Sequence, residues 1–215
     1  MIEVKLDEAI FTQAEHRLKT LPIYKKSHRK NGANQTGVIG EIVAERWLTS
    51  QGVFYTEDKT TQYDLRLLNG ETIDVKTKER RVMPRQSFDC SVAMYNKDFQ
   101  RPDYYLFVSL RRDPKADSRD LRRFTHAYII GAVNQAQLEA KGRLIPKDTE
   151  DSDNHMVNWT DMMNIFVENV TECPLVASKW KEVSPSVAAL SQFQHIPLPK
   201  SRPSTTTGNV ANAIT

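Results

Sequence analysis

The sixteen residues from Tyr63 to Lys78, YDLRLLNGETIDVKTK, restrict the fold more than any other part of the chain. Tyr63, Leu65 and Leu67 alternate with Asp64 and Arg66; past Asn69-Gly70, Ile73 and Val75 alternate with Asp74 and Lys76. Alternation on both sides of a turn-forming dipeptide predicts a β-hairpin. One face of a hairpin is buried, and a slip of one residue would send half of its apolar side chains into water, so these positions select the register. A two-residue loop at Asn69-Gly70 pairs Leu65 with Asp74 and fails that test. A three-residue loop, Leu68-Asn69-Gly70, with Gly70 left-handed in a bulge, pairs Leu65 with Ile73 and Tyr63 with Val75. The same register sets Asp64 across from Asp74.

Opposed carboxylates roughly 5 Å apart on a strand pair are a liability. At an effective dielectric of about 20 they repel by about 3 kcal/mol, which a proton or a bound cation relieves. Hard oxygen ligands on a rigid strand pair suit magnesium or manganese. Lys76 projects from the face that carries Asp74, and its ammonium can hold a water or a phosphoryl oxygen beside a metal. These are the parts of metal-assisted phosphodiester hydrolysis. The competing reading is a solvated strand face on which Lys76 merely neutralises Asp74, since Asp-x-Lys is a common pattern there.

Upstream, Thr36 can cap a helix from about Val38 to Ser50, with Gly52 as its stop and Val38, Ile39, Ile42, Val43 and Trp47 as its apolar face. Glu41 lies at the edge of that face, within reach of the carboxylate pair; Glu45, one turn on, competes for the role but reads as an exposed charge. Asp64, nine residues, Asp74-Val75-Lys76, and a preceding helical Glu41 together resemble the PD-(D/E)xK nuclease superfamily, the restriction-endonuclease-like fold, with Tyr63 where the family name has Pro. The resemblance implies a mixed α/β fold, a central mixed sheet flanked by helices. It implies Mg2+- or Mn2+-dependent cleavage of DNA, with Asp64 and Asp74 as metal ligands and the Val75 carbonyl as a further one. Glu41 would hold a metal-bound water or a second ion, and Lys76 would orient or deprotonate the attacking water. The motif-bearing part runs from about Thr36 to Lys78, and a looser likeness to phage and prokaryotic nucleases extends to about Val170.

Two basic segments flank this region. Lys25, Lys26, Arg29 and Lys30 precede the Glu41 helix, and Lys78, Arg80, Arg81 and Arg85 leave the Asp74 strand; both are placed to contact phosphates. Elsewhere the patterning predicts a strand over Ile2 to Leu6, a helix up to Leu21, strands at Val53 to Tyr55 and Phe88 to Val92, and a short helix from Ala93 to Phe99. Tyr104 to Leu110 reads as a buried central strand, Arg111 to Arg123 as a solvated loop, and Phe124 to Ile130 as a strand ended by Gly131. Asn134 caps a helix to Lys141 with Gly142 as its stop, and Met162 to Val167 forms a late strand with Trp159 as core beside it. The expected organisation is an N-terminal helix and basic loop over 1–37, a core over 38–183 and a disordered tail over 184–215, where Pro and Thr accumulate and periodicity ends.

Lys and Arg exceed Asp and Glu by 30 to 27, a balance too even to argue for a polyanionic partner without the local clusters. Cys90 and Cys173 stand far apart with no second Cys or His near either, which gives no support to a disulfide framework, a zinc knuckle or an iron-sulfur cluster and makes reduced cytosolic thiols the expectation. With no membrane-length apolar run and no signal-peptide pattern at Met1 to Leu6, a cytoplasmic protein without membrane contact is expected. The oligomeric state stays open, a homodimer included. The alternative to a DNA-cleaving enzyme is a catalytically silent protein of the same fold that binds nucleic acid or a protein partner.

Overall fold

The computed structural model describes residues 1–20, 31–57, 62–94, 100–150 and 157–170, all inside a unit running from Met1 to Trp180. Lys25, Lys26, Arg29 and Lys30, residues 95–99 of the expected helix, and the tail over 184–215 lie outside the described residues. In chain order the elements are β1 (Ile2–Lys5), α1 (Glu8–Thr20), α2 (Asn31–Ser50), β2 (Tyr55–Glu57), β3 (Leu65–Leu67), β4 (Thr72–Arg80), β5 (Asp89–Ala93), β6 (Tyr104–Arg112), β7 (Phe124–Asn134), α3 (Gln135–Lys141), β8 (Arg143–Ile145) and β9 (Met162–Phe166).

The fold is mixed α/β. Six strands form one sheet in the order β1-β7-β6-β4-β3-β2, and three form a second in the order β5-β9-β8. All neighbours in the large sheet are antiparallel except β4 and β6. A parallel pair needs a crossover, and here the crossover contains β5. Alternation along β6 sorts its side chains into two layers. Leu106, Val108 and Leu110 join Ile73, Val75 and the apolar faces of α1 and α2, while Tyr105 and Phe107 join Cys90, Val92, Leu138 and Ile165 under the small sheet and α3. Burial of β6 on both faces explains its nearly continuous apolar run.

In β7 the pairing with β6 shifts between Phe107 and Val108, where Ile129 and Gly131 face successive β6 residues and Ile130 is the extra one. Gly131 adopts φ +146°, a conformation that favours glycine, so it carries a bulge and does not end the strand as expected from sequence. Three further expectations are corrected. Helix α2 begins at Asn31, so Thr36 is a buried helical residue and not a cap, and the expected boundary between 37 and 38 falls inside the helix. Within the expected solvated loop, Arg123 is buried, donating to Gln35 Oε1 and the Asp120 carbonyl at 2.8 Å each. Trp159 is exposed rather than core. The cap of α3 is as expected: Asn134 and Gln137 form a reciprocal capping box, and the Gly142 N–H bonds to the Leu138 carbonyl. Among the described residues, no helix is long and apolar enough to cross a membrane.

Candidate active site

The hairpin of β3 and β4 pairs Leu65 with Ile73 and Arg66 with Thr72, the register chosen by the apolar positions. Its loop is Leu68-Asn69-Gly70, closed by Leu67 N–H to the Glu71 carbonyl (2.7 Å) and Gly70 N–H to the Leu67 carbonyl (2.9 Å), with Gly70 at φ +90°. Regular pairing stops at Leu65, so the expected Tyr63–Val75 pair is not formed. Asp64 instead sits at a bend: its N–H donates to the Ile73 carbonyl (2.9 Å), and its Oδ2 accepts the Val75 N–H (2.7 Å). A carboxylate thus takes the place of a backbone carbonyl where β3 departs. Because the N–H and C=O of a strand residue point to the same edge, the Val75 carbonyl shares this edge with Asp64.

Asp74 and Lys76 project from the other face of β4, the one that looks toward Tyr105 and Phe107 through the parallel register. That face is covered, not solvated: Asp74 is only 2 % exposed. The Lys76 ammonium lies 2.6 Å from Asp74 Oδ2 as an ion pair, yet no hydrogen bond is completed at that buried oxygen. Asp64 feels the consequence. Burial first, then the charges of Asp74 and Glu41, push its carboxyl up to about 8, with the Val75 N–H pulling the other way. The Tyr105 hydroxyl is likewise raised to about 12, by burial and then by Asp74.

Helix α2 rides across β4 so closely that a Cβ on Gly40 would come within 1.9 Å of Thr77 Oγ1. Only glycine permits this approach, and it carries the next residue, the half-buried Glu41, to where its charge acts on Asp64. Glu45 is not the exposed charge expected from sequence: it is buried and takes both arms of Arg17, at 2.6 and 2.5 Å, tying α1 to α2. Among the described residues, no three His, Cys, Asp or Glu side chains gather tightly enough to hold a metal ion by themselves. The donor set that does come together is two carboxylates and one backbone edge. Its chemistry fits a hard divalent cation, because two carboxylates, with a third from Glu41 acting on Asp64, share the single ammonium of Lys76.

The basic residues after Asp74 divide. Arg81 and Arg85 are exposed, and Lys78 is half-buried with Nζ 3.5 Å from the Asp89 carbonyl. Arg80 departs from the expected phosphate-contacting role: it is buried, donating to Ser109 Oγ (3.1 Å) and to the Asp89 carbonyl (2.5 Å), with its guanidinium 4.9 Å from the centre of the Phe88 ring. Sequence reasoning missed Tyr105, which stands beside Asp74 and lines a cavity of about 160 Å3 with Gln100, Arg101, Leu138 and Met163. Its placement depends on the parallel pairing of β4 with β6, which no local pattern displays. No protein-family model matches the chain, and a search of curated proteins finds no match.

Proposed function

We propose that the chain is a divalent-metal-dependent nuclease of the PD-(D/E)xK type that hydrolyses phosphodiester bonds in DNA. The observation that carries this reading is the pairing of half-buried Asp64 with buried Asp74, two carboxylates next to the single ammonium of Lys76, at the point where β3 leaves β4. A buried carboxylate pair without enough positive charge costs stability, and such costs persist where chemistry uses them.

Asp64, Asp74 and the Val75 carbonyl would hold Mg2+ or Mn2+, which when bound supplies Lewis acidity and an acidified water. Lys76 is close enough to Asp74 to be positioned by it, and its ammonium stabilises charge developing on the phosphoryl oxygens or orients the attacking water. Glu41 would hold a metal-bound water or a second ion at the edge of the pair. Exposed Arg85 and half-buried Lys78 guide the phosphate backbone toward these groups, exposed Arg81 contacts phosphates beyond the end of the same strand, and Lys25, Lys26, Arg29 and Lys30 belong to the same proposal on sequence grounds.

The test is cleavage of linear, circular, single-stranded and four-way-junction DNA by purified protein, with and without magnesium. Magnesium-dependent cleavage of at least one substrate is expected. Binding without cleavage, unaltered by magnesium, would favour the catalytically silent alternative.

A further inference from the structure

The connection that leaves β4 and the turn between β6 and β7 face one another at the end of the large sheet away from the acid pair. Between them runs an open groove of about 430 Å3, lined chiefly by Arg81, Val82, Met83, Arg111, Arg112 and Asp113. Val82 and Met83 are 48 % and 49 % exposed, adjacent apolar side chains left in water beside three guanidinium groups. Two of those cations are fixed in place. Arg111 reaches Thr125 Oγ1 (3.5 Å) and His126 Nδ1 (2.6 Å), and Arg112 pairs with Glu79 at 3.2 Å. His126 is the cross-strand neighbour of Arg111, and Lys5 is that of His126, so basic side chains continue from the groove to β1.

The opposing carboxylates are already engaged. Asp113 Oδ1 accepts the Lys115 N–H (2.9 Å), Glu79 lies between Arg112 and Arg123 (3.2 and 3.9 Å), and Glu3 takes the Tyr128 hydroxyl (2.9 Å). A row of held cations beside an exposed apolar pair suits a polyanion that also offers apolar edges. The sugar-phosphate backbone of a duplex has both properties.

We propose that this groove is a second docking surface for duplex DNA, with Arg81, Arg111 and Arg112 on phosphates and Val82-Met83 pressed against the sugar edges of the minor groove. The inference rests on the nuclease reading above and adds its geometry. Six residues of strand separate Asp74 from Arg80, roughly 20 Å along β4. At about 3.4 Å per base pair, that separation is about six base pairs of duplex. The two sites share one rigid strand, so a duplex that reaches both is held in a fixed register on the acids, and a shorter one is held by the acid site alone.

The experiment compares Arg81→Glu and Met83→Asp with the wild type, after thermal melts establish that each folds, with Arg111→Gln as the substitute for either that does not. Binding of a fluorescein-labelled 20-base-pair duplex and of a 4-base-pair duplex closed as a hairpin, too short to span both sites, is followed by anisotropy in calcium across a salt series, and cleavage is measured separately in magnesium. Arg81→Glu should weaken the 20-base-pair complex by about tenfold or more and reduce its log K against log salt slope by about 0.9. Met83→Asp should weaken it several-fold, and neither should change affinity for the 4-base-pair hairpin. Wild-type affinity and slope for the 20-base-pair duplex in the variants would overturn the groove while leaving the nuclease reading intact if the wild type cleaves. Equal losses on both duplexes would overturn the separation of the two sites. A wild type that never cleaves, with binding still lost in Arg81→Glu, would remove the nuclease reading and keep the groove as a DNA surface.

Discussion

Among the described residues two aspartates are buried, and they are treated in opposite ways. Asp89, 4 % exposed, receives Arg143 Nη2 on both oxygens (2.7 and 2.9 Å) and Asn164 Nδ2 on one (3.2 Å), while its carbonyl accepts Arg80. Asp74 is at least as deeply buried, yet faces one ammonium and a second carboxylate, with an oxygen that no hydrogen bond completes. The first arrangement binds the small sheet to the large one through β5, β8 and β9. The second spends stability without linking any two elements that backbone pairing does not already join. A satisfied buried charge marks architecture; an unsatisfied one beside a like charge marks a place kept ready for something else.

The sharpest way to break this contrast is the same substitution at both positions. Asp74→Asn should lower magnesium-dependent cleavage by about 10²- to 10³-fold or more, with DNA binding retained and with metal-free stability unchanged or raised, since the buried charge that helps to hold Asp64 protonated is gone. Asp89→Asn should do the reverse, lowering stability by about 1–3 kcal/mol while each folded molecule cleaves normally. Urea melts beside a cleavage assay decide it, and equal destabilisation by the two variants would erase the distinction.

Proton linkage sharpens the comparison from the other side. Burial and the charges of Asp74 and Glu41 push the native Asp64 carboxyl from the ordinary carboxylate range up to about 8. The native state therefore holds the proton more tightly; the stability this gives is fully present below about pH 4 and is lost as pH rises to about 8, so metal-free stability should fall across that range by a few kcal/mol at most. Asp64→Asn should flatten the profile. Magnesium should flatten it as well, because a cation that binds only the native state replaces the proton.

A smaller effect is expected at the helix that brings Glu41 to the pair. Gly40→Ala forces α2 and β4 apart and should cost about 1–3 kcal/mol, with cleavage falling further than stability accounts for; Thr77→Gly in the same background should restore part of both. Smallest of all is Arg85→Glu, which should stay within about 0.5 kcal/mol of wild-type stability yet reduce the salt slope of DNA binding by about 1. Arg80→Ala should behave oppositely, as a core variant, because its guanidinium is buried against Phe88 and Asp89.

Local signals were legible wherever the structure is made of local geometry. The bulged loop at Gly70, the capping box at Asn134 and the buried run of β6 all follow from short-range rules of burial and turn chemistry. The small sheet was not visible as a sheet, because Asp89–Ala93 and Met162–Phe166 are brief strands separated by roughly a third of the chain. Charged residues misled in one direction. Glu45 and Arg80 read as surface because such side chains usually are, while the partners that let them be buried, Arg17 and the Asp89 carbonyl, are fixed only by tertiary contacts. Asp64 and Asp74 were found by register, but the short length of β3 was not, and it is that early departure that lets a side chain take the Val75 N–H.

The extra residue at Ile130 acts as a frameshift in the inside-outside reading of β7. Before it, odd-numbered Ala127 and Ile129 belong to the helical layer; after it, even-numbered Ala132 does, and Val133 turns to the small sheet. All that follows, including α3 with its cap and the Leu138 side chain that reaches the second core, is hung on the sheet in a phase set by that one insertion. A chain one residue shorter at this point would contain nearly the same amino acids and present Ala132 and Val133 to the wrong layers. The cavity beside Tyr105, and with it one wall of the ground next to Asp74, is in this sense a product of counting as much as of composition.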